Sequence, residues 1–193
     1  MGAVMNGVMG RVLGEGWASL HPGLQAHHRL GATCDDGHMD VEFPWFMRPV
    51  LAVLGGCGIL VNRAEAAVHT VVHKHMEAEG LQWRRTLTFA NGRRLHFNSV
   101  WTSSRDGELV EYVNRVLGLR MAVRVVEGRL HYEGLSLVFR WGQRCWHVPE
   151  WLGLGHTVIE EVGLDDTHFR MDFRLIHPWF GQVFRYAGRF EAR

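Results

Sequence analysis

The stretch HFRMDFRLI, residues 168–176, alternates with a period of two: Phe169, Met171, Phe173 and Leu175 fall on one side, Arg170, Asp172 and Arg174 on the other. Successive strand residues point to opposite faces, so this pattern predicts an antiparallel strand with one face on a core and the other in water. QVFRYAGRF, residues 182–190, repeats it with Phe184, Tyr186, Gly188 and Phe190 against Arg185 and Arg189. The intervening HPWFG supplies turn chemistry, and a terminal hairpin follows. Similar runs lie at 68–76, 81–89, 94–103, 109–113, 120–126, 129–141 and 156–162, separated by AEG, ANG, RDG, EGR and DD. Roughly nine strands at spacings of about ten residues, with almost no helix between them, exclude a doubly wound sheet. The predicted fold is mainly β: a strongly curved antiparallel sheet or a barrel, with one or two N-terminal helices. Closure would remove the edge strands and leave room inside for one small ligand.

The chain has 193 residues, enough for one domain with a sizeable core, and no Pro- or Ser-rich linker divides it. A single domain over 1–193 is expected, with a helical opening (1–62) packed on a β body (63–193). In the opening, Val12, Leu13, Trp17, Leu20 and Leu24 recur at helical spacing until His21-Pro22 ends or kinks the helix. A second helix over 49–60 is weakened by Gly55, Gly56 and Gly58. The apolar run 44–61 contains Arg48, two prolines and three glycines, so no transmembrane span is expected.

The net charge of +1 gives no field for a phosphate backbone, and nucleic acid is not an expected partner. Cys34, Cys57 and Cys145 are widely spaced, with neither a C-x-x-C pair nor a secretory leader. A reducing, cytoplasmic location without disulfides fits them.

The segments QWRRTLTF, FNSVW, GELVEYV, LGLRMAVRVVEGRLHYEG, VPEWL and FRMDFRLIHPWFGQVFRYAG together carry a family resemblance, with LGLRM and HPWFG the most specific. The chain resembles the bacterial family known as domain of unknown function 4166. Members occur alone or fused behind NAD(P)-binding domains like saccharopine dehydrogenase, which implies a protein partner of oxidoreductase type. The resemblance brings no catalytic residues. The sequence has no G-x-G-x-x-G fingerprint of its own, so any nucleotide-dependent role would need another polypeptide.

Charges that interrupt apolar alternation mark candidate binding residues. Arg85 shares a strand face with Trp83, Leu87 and Phe89, and Glu111 shares one with Leu109 and Val113. A buried charge without a partner is costly, so Arg85 should meet a carboxylate, with Glu111 and Glu161 as candidates. Arg120 in LGLRM and His177 in HPWFG could join the group. Phe97, Trp101 and Phe173 would supply aromatic wall. The reading is a module that binds a small apolar or acidic-apolar ligand among these residues.

The alternatives are a docking domain with a filled core and a metal site. Thirteen histidines make the second worth weighing. His69, His73 and His75 share a strand face, the last two about 7 Å apart along the chain, as two metal ligands could be. No cofactor is predicted. No nucleophile motif is present, and no catalytic residue is assigned. Trp45, Phe46, Trp151, Trp179 and Phe180 fall in connections, where aromatic side chains could cap a cavity mouth or meet a partner.

Overall fold

A computed structural model of the protein describes residues 7–104, 107–142 and 144–193. Among them eleven strands form one antiparallel sheet. They are β1 (Thr33–Glu42), β2 (Glu65–Glu77), β3 (Gly80–Thr88), β4 (Arg94–Ser103), β5 (Glu108–Tyr112), β6 (Leu117–Val126), β7 (Arg129–Trp141), β8 (Arg144–Val148), β9 (His156–Gly163), β10 (His168–His177) and β11 (Gly181–Ala192). Ten of them close into a barrel in the order β6-β5-β4-β3-β2-β1-β11-β10-β9-β7, with β7 pairing back onto β6. β8 stays outside the ring. β7 pairs with β9 through Leu130–Glu133 and with β8 through Leu137–Trp141, so its two halves have different neighbours on the same side.

Two strands go beyond the nine expected, and one of them, β1, lies in the opening expected to be helical. Its sequence TCDDGHMDVE does alternate, but Asp35 occupies an inward position beside the inward Met39 and Val41, so the apolar stripe is broken. Gly37 breaks it again for a steric reason. A Cβ there would lie 2.1 Å from the Arg189 carbonyl oxygen of the neighbouring β11. The predicted terminal hairpin is present as β10–β11, with Phe169 on Phe190 and Phe173 on Tyr186 as cross-strand pairs.

Among the described residues three α-helices close the ends. α1 (Val8–Leu13) runs into a 3₁₀ segment, and α2 (Pro22–His27) restarts at the kink foreseen at His21-Pro22. Pro at the first helical position has no N–H to leave unpaired, and the His21 ring accepts from the Gly23 N–H at 3.2 Å. Val8, Met9, Val12 and Leu24 are buried beneath these helices, which sit over the end of the barrel carrying the β6–β7 and β9–β10 turns. α3 (Arg48–Gly56) ends at its glycines and covers the opposite end with the buried Leu51. Among the described residues no helix is long and apolar enough to cross a membrane, and the three cysteines are free.

Leu24, with no exposed surface, fixes α2 to the barrel. Leu24→Ala should lower unfolding stability by about 2–5 kcal/mol through lost burial and a residual void, read from chemical denaturation.

Candidate functional site

The interior is polar toward the α2 end because four strand registers bring three charged side chains and a phenol inward. Lys74 on β2 lies opposite Thr33 and Trp83, Asp35 on β1 opposite Val72, and Glu161 on β9 opposite Leu130; Tyr132 on β7 lies opposite Ile159. The last turn of α2 and the residue after it lower His27 and His28 among them. All six residues are buried. Lys74 Nζ is 2.8 Å from Asp35 Oδ2 and also donates to the His27 carbonyl oxygen. His27 Nδ1 is 3.0 Å from Asp35 Oδ2, and His28 Nε2 is 2.7 Å from Glu161 Oε2 and 3.3 Å from the Tyr132 hydroxyl. Trp83 and Trp101 pack 4.2 Å apart beside them.

Burial decides how these groups titrate. It lowers His27 to about 4, against the pull of Asp35 and with the help of Lys74, so the imidazole is neutral near pH 7. Burial pushes Asp35 upward, but His27 and Lys74 outweigh it and hold the carboxyl at about 2. Burial likewise pushes Glu161 upward and is overcome, chiefly by His28, leaving its pKa below the usual range. Lys74 is lowered by burial and Tyr132 raised by it.

A second polar layer crosses the middle of the barrel. Arg85 donates from Nη1 to Ser99 Oγ at 2.8 Å and from Nη2 to Glu111 Oε1 at 3.1 Å, and Ser99 donates to the same Glu111 oxygen at 2.6 Å. The Arg85 guanidinium lies over Trp83 and Phe97, at 4.9 and 5.2 Å from the ring centres. Between this layer and the histidines is a small cavity of about 40 Å³, lined by His27, Asp35, Trp83, Arg85, Trp101 and Glu161 among others.

Beyond it, toward α3, lies a chamber of about 440 Å³. Its walls are Val50 and Leu54 of α3, Leu117 and Leu119 of β6, Leu137 and Phe139 of β7, Phe173 and Leu175 of β10, and Tyr186. The two spaces share Phe97, Glu111 and Tyr186 as walls. The chamber's carboxyl groups are those of Glu111 and Glu150, and Tyr186 adds a phenol. Glu150 Oε2 binds His156 Nδ1 at 3.0 Å, whereas its Oε1 is buried without a hydrogen-bond partner. Gly134 makes that placement feasible, since any Cβ at 134 would lie 2.0 Å from Glu150 Oε1.

Of the residues singled out from the sequence, Arg85, Phe97, Trp101, Glu111 and Phe173 line these two spaces, and Arg85 has Glu111 as its carboxylate. Arg120 and His177 do not. Period two turns Leu119 and Met121 inward, so Arg120 between them points out, where it grips both oxygens of Glu108. His177 is buried at the end of β10 against Trp179 and Phe180, away from both cavity walls. His69, His73 and His75 share a face as expected, but it is the outer one, because Val68, Thr70, Val72 and Lys74 take the inside. His69 pairs there with Asp36 and His75 with Glu77. The metal-competent trio among the described residues is His27, His28 and Glu161 instead.

Around the chamber end, Trp45, Phe46, Trp179 and Phe180 are exposed, and the Phe46 and Phe180 rings meet at 5.9 Å. The family model described as "Domain of unknown function (DUF4166)" matches residues 20–190. No curated protein and no solved structure matches the chain.

Two outcomes follow from this geometry. His27 has a folded pKa below its unfolded value, so protons bind the unfolded chain more readily, and its contribution is complete above about pH 6.5 and lost as pH falls toward 4. With chelator present, unfolding free energy should drop by on the order of 3 kcal/mol across that window, and His27→Gln should flatten the slope. Arg85→Met strands the buried Glu111 and should cost about 3–5 kcal/mol, whereas Arg85→Met with Glu111→Leu should restore much of the loss in denaturant titrations.

Proposed function

The chain belongs to the family described as domain of unknown function 4166, a description that assigns no activity, and we propose that it is a binding module whose α3-end chamber holds a small, mainly apolar molecule. The chamber's volume carries this reading. About 440 Å³ of space walled by aliphatic and aromatic side chains falls within the range of small-molecule pockets, and a packed core of this size would leave no such space.

The polar lining refines the chemistry. The sequence reading allowed an acidic ligand held by Arg85, but Arg85 already serves Glu111 and Ser99, and the chamber itself presents carboxylates. A guest carboxylate would sit against Glu111 and Glu150 and be repelled. A hydroxyl or amine would instead donate to Glu150 Oε1, relieving a buried acceptor. The favoured guest is therefore a hydrocarbon-rich molecule with one hydrogen-bond donor. The exposed aromatics beside α3 would meet it first. They also support a second reading, a docking face for a partner of the oxidoreductase type implied by the family resemblance, with the chamber incidental.

N-phenyl-1-naphthylamine, an apolar fluorophore with a single N–H, tests the choice. It should bind the full chain one to one with strong emission enhancement, and Leu119→Trp or Leu54→Trp, which fill the chamber, should weaken binding at least tenfold. Binding unaffected by both substitutions, or its absence in the wild type, would sink the chamber reading and leave the docking face.

A further inference from the structure

At the opposite end from the chamber, two imidazoles and a carboxylate converge with an incomplete set of partners. One donor atom from each of His27, His28 and Glu161 lies within 4.8 Å of the others. The two edges of the His27 ring are unlike. Nδ1 is within 3.0 Å of Asp35 Oδ2, which can take its proton, whereas Nε2 is buried, has no hydrogen-bond partner and lies 3.9 Å from Glu161 Oε1. With the proton on Nδ1, a nitrogen lone pair and a carboxylate oxygen, both acceptors, face each other 3.9 Å apart. A cation between them satisfies both.

The surroundings agree with this. Asp35 stands behind His27 as an outer carboxylate does behind a metal-bound imidazole, its Oδ2 3.0 Å from Nδ1 and able to accept the Nδ1 proton when a cation takes Nε2. Lys74 Nζ lies at the same edge, 3.0 Å from Nδ1 and 2.8 Å from Asp35 Oδ2, on the side away from the gap, and leaves Nε2 clear. Lys74 faces two carboxylates, Asp35 and Glu161, while Arg85 is taken by Glu111 in the next layer. Trp83 and Trp101 pack against the two imidazoles, and their Nε1 atoms are buried without acceptors beside the small cavity.

We propose that His27, His28 and Glu161 form a binding site for one divalent transition-metal ion of the zinc or ferrous class, with its open coordination position toward the small cavity. Two imidazoles and one carboxylate are the ligand set that such ions accept while keeping positions free for water or another ligand. The roughly 40 Å³ beside the site exceeds what one water molecule needs, and the two indole N–H groups would donate to whatever oxygen occupies it. The site is separate from the chamber, so its test is independent of what the chamber holds.

Cobalt(II) is the probe, added to chelator-stripped full-length protein. One equivalent should bind, with a visible absorption band and a raised melting temperature. In a two-dimensional nitrogen–proton spectrum it should broaden or shift the Trp83 and Trp101 indole signals and spare those of Trp45 and Trp141. His28→Gln and Glu161→Gln should each weaken binding at least tenfold, while the triple change His69→Gln, His73→Gln and His75→Gln on the outer face should not alter it. If the two inner variants fail to fold, the indole signals of the wild type decide alone. Absence of stoichiometric binding, unperturbed Trp83 and Trp101 signals, or loss of binding in the outer triple variant would overturn the assignment.

Discussion

A charge inside a closed sheet must be matched there, and this barrel carries several. Lys74, Asp35, Glu161, Arg85 and Glu111 all point inward from strand positions that in a fully apolar core would hold Val, Leu or Phe. Each owes its placement to register. Lys74 is drawn beside Asp35 by β1–β2 pairing, and Arg85 reaches Glu111 across β4. A one-residue slip in either ladder would send one partner to solvent and strand the other in the interior. The polar layers thus tie the strand pairing to a single arrangement, and they also divide the interior into a polar compartment under α2 and an apolar one under α3.

The division explains why the α3 side of the interior is left open. Bulky aromatic side chains cluster where they flank the charges: Trp83 and Trp101 beside the histidines, Phe97 under Arg85. On the α3 side the walls are mostly aliphatic side chains of moderate length, and Gly118, Gly153 and Gly155 add no bulk. Ten strands enclose more volume than these side chains occupy, as expected when strand number sets barrel diameter. The chamber is a result of geometry first and composition second.

The fold was legible because alternation survives in most strands. In β10 the pattern read from residues 168–176 follows the burial, whereas in β11 it holds at Phe184 and Phe190 but not at 185–188, which are all half-buried, nor at Val183, which is buried beside Phe184 where the register shifts. The interior was legible where a charge sat inside an otherwise apolar alternation, as at Arg85 and Glu111. The same rule, applied to Lys74 between the inward Val72 and the strand end, points into the barrel, but the histidines at 69, 73 and 75 draw attention to the opposite face. Asp35 was hidden by the polar residues around it and by Gly37. His27 and His28 could not be found by any strand rule, because they enter from a helix whose angle over the barrel mouth no local pattern records. Glu150 lies in a connection, where periodicity gives no inward or outward sense at all.

The forked β7 has a further meaning for the barrel wall. Where its second half turns aside to pair with β8, the ring between β7 and β9 is completed by the connection 149–155 instead of by a strand. That stretch contributes Glu150, Gly153, Leu154 and Gly155 to the chamber lining. It forms a seam in an otherwise continuous hydrogen-bonded fabric, and parting it would leave every ladder of the ring intact. A guest could then exchange through the side wall near that end while the sheet itself stays fastened.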